Sequence, residues 1–403
     1  MIGSLYTAVS GLNASTTAMS VIGDNISNTN TTGFKSTRAL FSNLLSESLG
    51  GGGGVKFWAS MDTWTQGSLE TTTNPTDLAV SGNGMFIVRD ESGTPCYTRA
   101  GAFIFDDDGN LVNPDGLVVQ GYDTSLNSQG EIVLGSLGNI TIPSANIEPK
   151  ETSETSFHVN LDADADDGET YYSTITAYDS LGSAVDLTIT FTFDETAGNW
   201  VWTVSPSSGT TADTGTIGFN AQGGLDAATI AAGNPSITIS NLDSGADPLT
   251  FTWNILDDSG ADNGSMTGFA SQSATTFQNQ DGYAPGNLTG TSIDSEGLIS
   301  GVYSNGQLEP FFQIALADFP SYWGLTEIGD SLYQASFSSG QAAVGTPGSG
   351  RLGNITNNSL EMSNVDLASE FVKMITTQRA FSANARVIST SDEILAELIN
   401  IKR

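Results

Sequence analysis

Large apolar side chains recur at every seventh position at both ends of the chain. Toward the C-terminus the row is Leu367, Met374, Phe381, Ile388 and Leu395. A companion row four places on runs through Phe371, Ala385 and Ile399, interrupted by the polar Gln378 and Asp392. Near the N-terminus Leu5, Leu12, Met19 and Ile26 repeat the spacing beside Ile2, Val9 and Thr16, until Gly23 breaks the companion row. Paired rows of this kind predict a long coiled-coil-forming helix at each terminus. Ser363 and Asp366 predict a capping box at the start of the second helix, and Lys402 and Arg403 suit the negative end of its dipole. At 1.5 Å per residue that helix extends roughly 55 Å. An apolar seam needs a partner, so two such helices imply that the chain ends meet and that everything between them is an insertion. A hairpin packed on its own globular domain is the plainer outcome. Small side chains off the seam (Ala8, Ala14, Ala18, Ala368, Ala380 and Ala383) point instead to packing against further copies of the chain.

Between the helices the period changes to two. Val185, Leu187, Ile189, Phe191 and Phe193 alternate with Asp and Thr; Trp200, Trp202 and Val204, then Leu249, Phe251, Trp253 and Ile255, do the same. One buried and one wet face predicts antiparallel sheets forming a barrel or sandwich over 146–284. Phe86, Val88, Phe103, Phe105 and Leu111, separated by turns at Gly82–Gly84, Asp108–Asn110 and Asn113–Gly116, predict a second β module. Residues 36–70 are less patterned. Phe41, Leu44, Leu45 and Leu49 suggest a short amphipathic helix running into Gly50, Gly51, Gly52, Gly53 and Gly54, a composition that favours flexibility.

Composition narrows the class. Of 403 residues only 14% are charged, and the formal net charge is −33, which argues against nucleic acid or an anionic membrane as partner. Residues 151–350 hold 25 acidic side chains and no basic one. Facing copies of this region should repel unless counterions screen them. A single cysteine, Cys96, rules out an intramolecular disulfide. No run of 18 apolar residues is present, and the first basic residue is Lys35, so a cleaved secretory signal is not expected.

Catalytic chemistry has little to stand on. His158 is the only histidine, in a strand-like run, so neither a triad nor a two-histidine metal site is readily built. The Asp106–Gly109 and Asp162–Gly168 runs lack the spacing of a calcium loop and read as a hairpin turn and a solvated loop. Cys96 stands near Arg99 without an acid–base partner. No enzyme activity, cofactor or metal is expected.

Two long stretches carry a resemblance. Asn25-Ile-Ser-Asn28-Thr-Asn30-Thr-Thr-Gly33-Phe34-Lys35, preceded by TAVSGLNAS, closely resembles the N-terminal signature of the bacterial flagellar rod and hook axial protein family. LEMSNVDLASEFVKMITTQRAFSANARVISTSDEILAELINIKR resembles its C-terminal signature. GNGMFIV, YTRAGAF and the text after Asp281 are similar to the family as well, with Asn83 and Met85 as mild departures.

The resemblance implies a mainly β chain with coiled-coil termini and nested, discontinuous domains. A helical core spans 1–34 and 360–403, a linker 35–70, an inner β domain 71–145 and 285–359, and an outer β domain 146–284. It further implies a structural subunit of the flagellar hook. That subunit would be exported through the flagellar type III apparatus and form a tubular homopolymer joining rod to filament. It would meet the distal rod, hook cap and hook–filament junction proteins. Subunit packing would fall on Leu5, Val9, Leu12, Met19, Ile26, Leu367, Phe371, Met374, Phe381, Ala385, Ile388, Leu395 and Ile399. Gly50–Gly54 would be the hinge. A distal rod protein, or a secreted β-rich adhesin that oligomerises through terminal helices, are the alternatives.

Overall fold

The computed structural model describes residues 2–44, 53–90, 92–127, 130–143 and 146–401. The chain folds as two compact units. One comprises Met1–Ser144, Gly290–Gly301 and Leu308–Arg403, and the other Ala145–Thr289 and Val302–Gln307.

In the first unit the heptad rows do form helices, α1 (Ile2–Ser27) and, at the far end of the chain, α3 (Leu367–Ile401). The cap of α3 differs from the sequence reading. Asp366 is the N-cap, its Oδ1 accepting from the backbone N–H of Ala368 at 2.9 Å and of Ser369 at 3.4 Å. Ser363 lies one turn early, where its hydroxyl accepts from Val365 N at 3.4 Å.

The expected amphipathic helix after residue 40 is instead a strand. Antiparallel β1 (Thr37–Asn43) and β2 (Val55–Asp62) pair from Thr37 opposite Asp62 to Asn43 opposite Val55, with a bulge at Leu40/Phe41. Phe41 sits edge-on to Phe57 across the ladder at 6.0 Å, a cross-strand pair that a helix could not make. The ladder is extended by Leu44 N to Gly54 O at 2.8 Å and Gly53 N to Leu44 O at 2.7 Å. Leu45, Leu49 and Gly50–Gly52 lie outside the described residues.

The β module of this first unit is woven from both halves of the chain. Leu78–Ser81 pairs with Asn354–Asn357, Leu69–Thr71 with Ser359–Glu361, Phe86 with Leu316, and Tyr122 with Gln313. Its core holds Leu78, Val80, Phe86, Val88, Phe103, Leu111, Val119, Ile314 and Leu316, all fully buried or nearly so. Cys96 is buried in the same core. The Asp106–Asn110 run is a hairpin turn: Asp106 Oδ1 accepts from Asp108 N at 3.0 Å and Asn110 N at 2.7 Å.

The second unit is a sandwich. Thr170–Tyr178, Ala184–Asp194, Asn199–Pro206 and Thr214–Ile217 form one antiparallel sheet. The other orders Ser236–Ile239, Leu249–Trp253, Glu154–Asn160 and Met266–Thr267, with Ala274–Gln280 paired antiparallel along the third of these. The expectation of antiparallel pairing fails at one strand. Glu154–Asn160 runs parallel to both Leu249–Trp253 and Met266–Thr267, because long crossovers return those segments beside the strand that opens the unit. A short helix, α2 (Ala227–Ala232), is capped by Asp226. The alternating side chains Val185, Leu187, Ile189, Phe191, Trp200, Trp202, Leu249, Phe251 and Trp253 share one core. Trp253 lies at its centre, edge-on to Phe157 and Trp202 at 5.6 Å each and to Phe191 at 6.0 Å.

The Trp253 Nε1 is buried without a hydrogen-bond partner among the described residues. Losing its N–H should therefore cost little, whereas losing the ring leaves a void. Trp253→Phe, which loses the N–H and part of the ring volume, is expected to lower unfolding free energy by about 1–2 kcal/mol and Trp253→Ala by about 3–5 kcal/mol. Denaturant titration of the chain checks the pair.

Candidate assembly site

The two helices run antiparallel. Midway along α3, Gly11 of α1 faces Asn384 so closely that a Cβ would fall 2.6 Å from Asn384 Nδ2. At the other end the backbone leaving α1 meets the backbone approaching α3, Gly33 N donating to Glu361 O at 2.7 Å.

What fills the interface is smaller and more polar than the heptad reading implied. On α1 the buried positions are Ala8, Ser15, Ile22 and Asn25. On α3 the covered side alternates polar Glu370, Thr377, Asn384 and Ser391 with apolar Met374, Ile388 and Leu395. In both helices the buried companion row lies three residues from the large apolar row, where the sequence reading placed it four residues away. A helix whose neighbour approaches as closely as Gly11 does has room there only for short side chains.

The residues assigned to packing thus divide. Leu5, Leu12, Met19, Ile26, Met374, Ala385, Ile388 and Leu395 are half-buried within the chain, while Val9, Leu367, Phe371 and Phe381 are exposed. Ile399 lies outside the residues whose side chains are described. Further large apolar groups stand in solvent beside them: Val372 is 61% exposed, Ile375 51% and Ile394 53%. Covering the area still exposed on each would remove roughly 1–2 kcal/mol of unfavourable hydration.

The Asn/Thr/Gly turn after α1 joins the helices to the β module. Asn25 is buried and clamps β1 twice, donating from Nδ2 to Thr37 O and accepting at Oδ1 from Thr37 N, both at 2.8 Å. Asn364 does the same from the other chain end, accepting from Ser36 N at 2.7 Å and donating to Thr63 O at 2.7 Å. Asn28 stays local, its Nδ2 donating to Asp24 O at 3.0 Å, and Asn30 is exposed. Gly33 has φ of 70°, and a Cβ there would sit 2.4 Å from Ala100 N, so only glycine fits. Phe34 is buried beside it.

Beneath this joint lies an ionic cluster that sequence reading missed. Glu361 is fully buried and takes Lys35 Nζ on Oε1 at 2.5 Å and Arg99 Nε on Oε2 at 2.9 Å. Gly67 N adds a bond to Oε1 at 2.9 Å. Arg99 is fixed in turn by the carbonyls of Val80, Gly82 and Gly84. Burial pushes the Lys35 ammonium below its usual pKa, opposed by the adjacent Glu361 charge. One carboxylate therefore holds together the N-terminal turn, the β module and the strand leading to α3. Each partner stands in a different family-like stretch, 326 and 262 residues from Glu361, and only pairing across those distances would have exposed the cluster.

Removing one member of a buried ion cluster leaves the others uncompensated. Glu361→Gln keeps the shape and strands two cations, and is expected to cost about 3–5 kcal/mol. Chemical denaturation measures it; a loss below about 1 kcal/mol would show that the cluster is not what ties the chain ends to the β module.

A pair of terminal helices bearing unpartnered apolar faces, with nested β modules threaded between them, defines a structural subunit of the flagellar axial class. Sequence profiles agree along the chain. Residues 5–35 match the flagella basal body rod protein profile, and 79–173 the flagellar hook protein FlgE/F/G D1 domain. Residues 141–283 match the flagellar basal body protein FlaE D2 domain, and 356–401 the flagellar basal body rod FlgEFG protein C-terminal profile. The flagellar hook protein FlgE of Salmonella typhimurium is 36% identical, covering 98% of this chain and 99% of that protein. That of Borreliella burgdorferi is 37% identical over the whole of both. Among solved structures, the Helicobacter pylori flagellar hook protein FlgE2 superposes with a TM-score of 0.54 at 16% identity, covering 73% of this chain and all of that one. The chain belongs to the flagellar hook protein FlgE family.

Proposed function

We propose that this chain is the hook subunit and assembles, through its terminal helices, into a flexible tube that carries torque from rod to filament. The observation that carries the reading is the apolar face of α3, Phe371, Val372, Ile375 and Ile394, each at least half exposed in the single chain. Identity of 36–37% to hook proteins over nearly the full length favours the hook over the distal rod and over an adhesin. Head-to-tail contacts between such faces do not close on themselves and can grow as a helix. Export through the type III apparatus, and contacts with the rod, cap and junction proteins, belong to the same proposal. So do the nested domain boundaries.

Substituting Val372 and Ile375 together with Asp should leave the subunit folded, because both side chains already stand in solvent. It should abolish tubes in negative-stain images. Tubes of normal length from that variant would remove α3 from the assembly interface.

The bending element is proposed to be the polyglycine run. Gly53 and Gly54 end the β1–β2 ladder, and Gly54, at φ 105°, abuts Ser10 on α1. Replacing Gly50–Gly54 with a rigid sequence is expected to straighten the polymer before it prevents assembly. Unchanged curvature in electron micrographs would place the compliance elsewhere.

A further inference from the structure

Charge around Glu361 does not balance. Lys35 and Arg99 share that carboxylate, while Arg351, 70% exposed, faces Asp318 at 3.5 Å, so three cations meet two carboxylates. Both carboxylates are committed: Glu361 to Lys35, Arg99 and Gly67 N, and Asp318 Oδ1 to the Tyr322 hydroxyl at 2.6 Å. The Arg99 guanidinium is saturated by Glu361 and three carbonyls. Lys35 differs. Its ammonium has three N–H groups and two acceptors, Thr65 O at 2.9 Å and Glu361 Oε1. The third N–H has no acceptor among the described residues, and the side chain is 1% exposed.

Beside these groups opens a cavity of about 320 Å³, lined by Lys35, Arg99, Arg351, Gln66, Asn83 and Tyr322 among others. Every charged side chain on its wall is cationic, in a chain of net charge −33. We propose that this cavity is an anion site that takes one carboxylate. A buried cation with a spare donor is unfavourable in a low-dielectric wall, and a carboxylate supplies both the charge and the acceptor. Arg351 stands on the same wall, and the Asn83 amide offers a further donor, while the Gln66 amide is engaged with Val80 O and Gly82 N. The carboxylate comes either from a small free acid or from an Asp or Glu of a neighbouring copy. The second source rests on the polymer reading; the first does not.

The test uses the full-length chain, melted in sodium chloride and in sodium acetate at equal ionic strength and pH. Acetate is expected to raise Tm by about 2–4 °C in a saturable way. Arg351→Ala should reduce the response by half or more. Asn83→Asp, which places a carboxylate on the cavity wall, should raise Tm in chloride and abolish the acetate response. Arg351 and Asn83 are both exposed, so neither variant removes core packing. No acetate-specific rise in the parent chain overturns the site, as does a rise that both variants keep in full. With the acetate response in hand, the critical concentration for assembly separates the sources. An increase in Arg351→Ala identifies a neighbour's carboxylate, and no change identifies the free acid. A chain that forms no polymer would defeat the hook reading while leaving the acetate result intact.

Discussion

The close approach of α1 to α3 is the constraint from which the rest follows. Gly11 lets Asn384 come within contact of its backbone, and the buried positions beside it are Ala8 and Ser15. An interface of short side chains removes little apolar surface from water. It therefore joins the two helices while only half covering large side chains such as Leu12, Met19, Met374 and Ile388, and it leaves Val9, Phe371, Val372 and Ile375 exposed. The exposed groups stand on the faces turned away from the helix pair, which the proposed polymer would cover.

Such a hairpin needs a firm base, and the base is polar. Asn25 and Asn364 clamp the β1–β2 hairpin through paired backbone bonds, and Glu361 gathers two cations beneath the turn. Clusters of this kind contribute more to fixing one geometry than to net stability, because removing charges from water offsets most of the attraction. A joint that must hold one orientation under load has use for that property. The acidic second unit is separate in character. Its core gathers three tryptophans and alternating aliphatics, and it has no lysine or arginine between residues 151 and 289.

The sequence was most legible where burial is periodic. Val185, Leu187, Ile189 and Phe191 are buried in the order their alternation predicts, and both heptad stretches are helical. Register was less legible, since a seven-residue row of Leu and Met attracts the eye while Ser391 and Asn384 look like surface. The β1–β2 hairpin was misread because Leu40 and Phe41 straddle a bulge, which breaks the period of two. The Lys35–Glu361–Arg99 cluster was not legible at all. Charged residues hundreds of positions apart announce no partnership in a single sequence.

The central claim is that the outward face of α3 is reserved for neighbouring copies. Hydroxyl-radical labelling of Phe371, Val372, Ile375 and Ile394 in the dissociated subunit and in assembled material tests it most directly. The account predicts strong labelling of all four in the subunit and protection of most of them after assembly. Equal labelling in both states would contradict it.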